Sequence, residues 1–164
     1  MTARKLLLVI FTSLIALPSH AQKAPEGWRS VLQSDLGVDP DFRSPKDFQV
    51  RGDFDGDGRI DHARILIRKS DPISRDLFVF LIRANGLSTS VKLNECSAGC
   101  ADFVLSVAPS GCYREEMSGV RVCLRHQGLV HIEAEYGTGT LYWLEQGKWR
   151  SLKFGQATLS DWPR

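Results

Sequence analysis

The chain has 164 residues, 21 of them basic and 19 acidic, and 43% are apolar. That is long enough for one domain with its own core. The slight excess of positive charge sits in the first five residues and no basic run follows, which argues against a nucleic-acid or anionic-membrane partner.

Residues 1–21 have the make-up of a secretory signal peptide. Arg4 and Lys5 precede an apolar run from Leu6 to Leu17, and Ser19-His20-Ala21 puts small residues at the −3 and −1 positions. The run is too short for a stable bilayer-spanning anchor, and no cysteine starts the mature chain to carry a lipid. Cleavage after Ala21 predicts a periplasmic protein, or one released outside the cell, with no membrane anchor. Basic and acidic residues then balance at 19 each.

Residues 22–47 read as an N-terminal arm. A loose leader is followed by "WRSVLQSDL" (28–36), which fits a short helix or an extended arm, and by a turn-rich connector with two prolines. From residue 48 the pattern becomes that of strands. "HARILIRK" (62–69) sets Ala63, Ile65 and Ile67 against His62, Arg64, Leu66 and Arg68, a period of two. "DLFVFLIRANG" (76–86) is a more continuous apolar strand ending at an Asn-Gly turn. Further short strands follow at about ten-residue spacing, bounded by glycine-containing turns, as far as "KWRSLKFG" (148–155). No helical pattern alternates with them. Residues 48–164 are therefore expected to form one all-β domain, an antiparallel sandwich or a barrel-like meander.

"GDFDGDGRID" (52–61) places Asp53, Asp55, Asp57 and Asp61 within nine residues. Carboxylates so close together repel one another unless a cation relieves them. Alternate residues of a tight loop aim their carboxylates at a common centre, Gly58 permits the sharp turn, and the Arg59 carbonyl adds an oxygen. Oxygen ligands in that number suit Ca2+ better than Mg2+, which keeps its waters. The spacing follows the first nine positions of an EF-hand loop, but position twelve is Arg64 instead of glutamate, and strands flank it. The expectation is a structural calcium loop on a β scaffold, with Asp61 standing in for the glutamate and Ile60 tethering the loop to the core. "RGD" (51–53) overlaps it, and Asp53 as a metal ligand is unavailable to an adhesion receptor.

Cys96, Cys100, Cys112 and Cys123 all lie in the second half of the chain. In an exported protein they predict two disulfides. Three connectivities are possible; Cys96–Cys100 with Cys112–Cys123 keeps both bridges local.

Catalytic signatures do not emerge. His62, His126 and His131 have no serine elbow or activated cysteine beside them. Glu133 and Glu135 share a strand face without further glycosidase features. The glycines have no phosphate-binding spacing, and Tyr136, Tyr142, Trp143 and Trp149 fit core and rim. The chain is expected not to be an enzyme.

The acidic stretch resembles the calcium loops of FG-GAP and related "GDFNGDG" segments in extracellular β-proteins. Together with "LYWLEQGKWRSLKFGQATLSDW" (141–162) it resembles a group of small exported bacterial proteins. "APSGCYREE" (108–116) contains Ser110-Gly111-Cys112-Tyr113, an S-G-x-Y pattern similar to that of periplasmic inhibitors of invertebrate-type lysozymes. That resemblance implies a protruding loop of Ser110, Gly111 and Tyr113 that enters a lysozyme cleft, with the serine hydroxyl and the tyrosine reaching the catalytic carboxylates. The partner is then a lysozyme or another peptidoglycan hydrolase, met by an inhibitor or an immunity protein. The competing expectation is a calcium-binding envelope module with another protein partner or a structural role. An enzyme of envelope polymers ranks third.

Overall fold

The computed structural model describes residues 22–36, 44–96, 103–115, 118–133 and 138–155. Among them the chain forms eleven strands and no α-helix. Strands β1 (Trp28–Ser30), β2 (Gln49–Gly52), β3 (Asp61–Arg68), β4 (Asp71–Ile82) and β5 (Ser88–Cys96) make one sheet. β6 (Phe103–Ala108), β9 (Gly128–Glu133), β10 (Thr138–Glu145) and β11 (Lys148–Phe154) make a second. β7 (Gly111–Arg114) and β8 (Arg121–Leu124) form a separate two-stranded ribbon. Every pairing is antiparallel.

The architecture is the sandwich, not the barrel-like alternative, because each sheet ends in edge strands and neither closes. The period-two pattern of β3 explains the packing. Ala63, Ile65 and Ile67 face a core that also takes Leu77, Val79 and Leu81 from β4. Leu105, Leu129 and Tyr142 from the second sheet meet them across it. The opposite face of β3 and β4 carries Leu66, Phe78 and Phe80, covered by Trp28 and Ala24. Arg64 lies over the Phe80 ring at 4.3 Å and Arg68 over Trp28 at 5.1 Å, so the long basic side chains shield apolar surface.

Among the described residues the N-terminal arm forms no α-helix. Residues 28–30 pair with Leu66, Ile67 and Arg68, while 33–35 and 45–48 form single 3-10 turns. Val31 and Phe48 enter the core, which ties the arm into the domain. β10 and β11 are joined by Gln146 and Gly147, both at positive φ, as a two-residue hairpin turn requires.

The second sheet buries both faces. Leu129, His131 and Tyr142 point inward, and Val130, Ile132 and Leu141 point outward beneath the β7–β8 ribbon, which contributes Tyr113, Val122 and Leu124. The molecule is thus layered as arm, sheet, core, sheet and ribbon.

Candidate metal centre and exposed tip

The acidic stretch connects β2 to β3, a hairpin whose last paired residues are Gly52 and Asp61. Backbone amides fold the loop around its own carboxylates. Asp53 accepts from the Gly56 amide through Oδ1 at 2.8 Å and from the Gly58 amide through Oδ2 at 3.0 Å. Gly56 and Gly58 sit at φ +77° and +82°, backbone that favours glycine. Asp61 is fully buried and accepts from the Phe54 amide at 3.0 Å and the Ile82 amide at 2.8 Å. Burial pushes its carboxyl up to about 6, against the two amide bonds, with nearby Asp55 and Asp57 adding to the rise.

Oxygens of Asp53, Asp55 and Asp61 lie within 4.8 Å of one another. An all-oxygen set of this size fits a hard cation such as Ca2+. Asp57 stands apart from that group. It accepts from the Arg59 amide and pairs with the Arg59 guanidinium at 3.0 Å, contacts that hold its carboxyl below the usual range. Arg83, from the turn after β4, reaches Asp55 at 3.3 Å and partly offsets the clustered charge.

The expected tether is corrected. Ile60 is 52% exposed, and Phe54, fully buried, anchors the loop in the core instead. Phe54 lies two residues past the end of β2, and its amide donates to the buried Asp61 carboxylate. The β8–β9 connection supplies a second anchor that sequence reading passed over. Gln127 accepts the Asp53 amide through Oε1 at 2.7 Å, and the His126 ring packs on Gly56 while its Nε2 meets the Leu144 carbonyl at 3.1 Å. A carbonyl only accepts, so Nε2 carries the proton.

Cys112 and Cys123 are directly opposite in the ribbon and form a disulfide. Cys100 lies outside the described residues, so the other bridge does too. Ser110 and Gly111 are exposed at the entry to β7. Tyr113 departs from the expectation that it projects with them. It is 8% exposed, packs against the outer face of the second sheet, and donates its hydroxyl to the Pro109 carbonyl at 2.6 Å. Strand alternation sets Tyr113 opposite to Cys112 and Arg114, which take the outward side, and the second sheet lies under its own side.

His131 is buried on the inner face, where burial pushes its pKa down to about 4. The side chain of Glu133, and Glu135 and Tyr136, lie outside the described residues. No protein-family model matches this chain, and no curated protein or solved structure does.

Proposed function

We propose that the protein is an exported, calcium-stabilised binding protein that blocks a lysozyme or another peptidoglycan hydrolase and has no catalytic activity of its own. The observation that carries this reading is the exposed tip at Pro109, Ser110 and Gly111. It is held from below by the Tyr113 hydroxyl and fixed behind by the Cys112–Cys123 bridge. A tip ordered before contact loses little entropy on entering a cleft. Ser110 is the group available to meet the cleft carboxylates, and Tyr113 acts as the post that supports it.

Export, with cleavage after Ala21 into the periplasm, is supported by the disulfide. Residues 1–21 lie outside the described residues. Calcium binding is supported by the three converging carboxylates and by an amide framework that fixes them in place. When bound, the ion would be held by Asp53, Asp55 and Asp61, and would neutralise their repulsion. The inward turn of Tyr113 removes the aromatic half of the S-G-x-Y pattern from the surface, which favours the second reading, an envelope module with a different protein partner.

Inhibition by the mature, oxidised, calcium-loaded protein against chicken-, goose- and invertebrate-type lysozymes separates the two. The expected result is inhibition of one class, weakened at least about tenfold by Ser110→Trp with an unchanged melting temperature. A folded protein that inhibits no class would overturn the inhibitor reading. Calcium titration followed by calorimetry, with Asp55→Ala as comparison, tests the metal independently.

A further inference from the structure

The outward face of the β7–β8 ribbon has a charge pattern that the fold itself does not require. Arg114 and Arg121 are paired directly opposite, and both are exposed. Like charges in that relation destabilise an antiparallel pair, and this pair has only four residues per strand. Arg125 is exposed just beyond the end of β8, beside the entry to β7, where Gly111 faces Leu124. The exposed Cys112–Cys123 bridge lies among the three.

Several guanidinium groups elsewhere are paired, although those of Arg51 and Arg64 form no ion pair among the described residues. Arg29, Arg59, Arg83 and Arg150 each lie within 4.0 Å of a carboxylate. Arg114, Arg121 and Arg125 form no ion pair among the described residues. Glu115, next in the chain, is buried and its carboxylate accepts from the Ser118 amide. Overall basicity does not account for the cluster, because residues 22–164 carry equal numbers of basic and acidic groups.

We infer that this ribbon face is the docking surface for an acidic, carboxylate-lined cleft, with Arg114, Arg121 and Arg125 as its recognition groups. The inference rests on the inhibitor reading and extends it, since it names what accompanies the Ser110 tip now that Tyr113 faces inward. Guanidinium forks match carboxylates in geometry. The ribbon stands out on the second sheet and is roughly 13 Å long, four residues at about 3.4 Å each, a convex shape suited to a groove. Among the described residues the two strands present no aromatic side chain outward, and the one exposed aliphatic residue of the turn between them, Val120 at 45%, is little to enter a lipid surface or stack on bases.

The test compares wild type with Arg114→Gln/Arg121→Gln and with Lys148→Gln/Lys153→Gln, which removes the same charge from β11. Inhibition of the responsive lysozyme is titrated at low and high salt, and anionic vesicles are offered in parallel. The expected result is an affinity at least about tenfold lower for the ribbon variant at low salt, with most of the salt dependence gone. The β11 variant should match wild type, and the ribbon variant should melt no lower than wild type because a repulsion is relieved. Arg114→Lys/Arg121→Lys keeps the charge and should retain part of the affinity. Equal inhibition by wild type and ribbon variant would overturn this inference and leave the inhibitor reading standing. So would charge-dependent binding to vesicles with no effect on the enzyme. A wild-type protein that inhibits no lysozyme would remove both.

Discussion

Asp61 joins the loop to a strand end 21 residues further along the chain, because its two oxygens hold the amide of Phe54 in the loop and that of Ile82 at the end of β4. Removing the side chain leaves two buried donors without a partner, each costing about 1–3 kcal/mol. Asp61→Ala should therefore lower stability even in chelator, whereas Asp55→Ala is expected to act mainly on the proposed metal binding. Chemical denaturation without metal checks the difference. Phe54→Ala, which empties a fully buried position, is expected to cost about 3–5 kcal/mol, whereas Ile60→Ala should be nearly neutral. His131, between Thr140 and Leu105 in the second sheet, makes a pH prediction. Its folded pKa of about 4 lies below the usual value near 6.5, so as pH falls through that window the unfolded chain takes up a proton that the folded chain refuses. The imidazole thus makes stability decline from about pH 6.5 to 4, by up to about 3 kcal/mol. Urea melts of His131→Gln in chelator should show a smaller decline than wild type; parallel curves would refute the assignment.

The β7–β8 ribbon is the element whose stability depends most on devices other than its own hydrogen bonds. Two short strands are marginal alone. This pair gains from a bridge closing a sequence separation of 11 and from the apolar face that Tyr113, Val122 and Leu124 lay on the second sheet. Cys112→Ser/Cys123→Ser should cost about 2–3 kcal/mol. The loss should concentrate in the ribbon, so amide exchange at residues 111–114 and 121–124 should accelerate well before that of β3 and β4. Uniform acceleration across all strands would mean that the ribbon unfolds only with the whole domain. Tyr113→Phe, which keeps the packing and frees the Pro109 carbonyl, should cost only about 0.5–1.5 kcal/mol. It is a gentler probe of the tip than Tyr113→Ala, which would also open a cavity.

At the scale of the molecule, the acidic loop is a junction between the layers. It belongs to the first sheet through β2 and β3, meets the turn after β4 through Arg83, and meets the second sheet through Gln127 and His126. A cation that orders this loop would therefore stabilise both sheets together. Calcium should raise the melting temperature progressively with concentration, as expected for a ligand of the folded state alone. Asp55→Ala should abolish the shift. Identical melts in calcium and chelator would refute the metal reading. Gln127→Ala, which leaves the Asp53 amide unpaired, should cost about 1–3 kcal/mol and also weaken calcium binding, although Gln127 carries no carboxylate.

Sequence alone determined the strand-rich architecture, since a side-chain period of two and regularly spaced glycine turns are local properties. It also picked out the β2–β3 loop, because four aspartates within nine residues need a physical reason wherever they fall. The inward side of β3 was legible for the same reason: Ala63, Ile65 and Ile67 alternate against mostly polar neighbours. What covers each sheet was not legible, because it is set by contacts distant in sequence, such as the 74 residues between Asp53 and Gln127. Tyr113 and Ile60 show the consequence. Period fixes that Tyr113 opposes Cys112 in direction, but only the layer lying under the ribbon makes its side the buried one. Phe54 replaces Ile60 as anchor because Asp61, next in the chain, takes the buried side and leaves Ile60 facing water. The open sandwich, the arm paired as β1 and the cationic outward face of the ribbon were decided in the same way, by which surfaces the tertiary fold leaves for water.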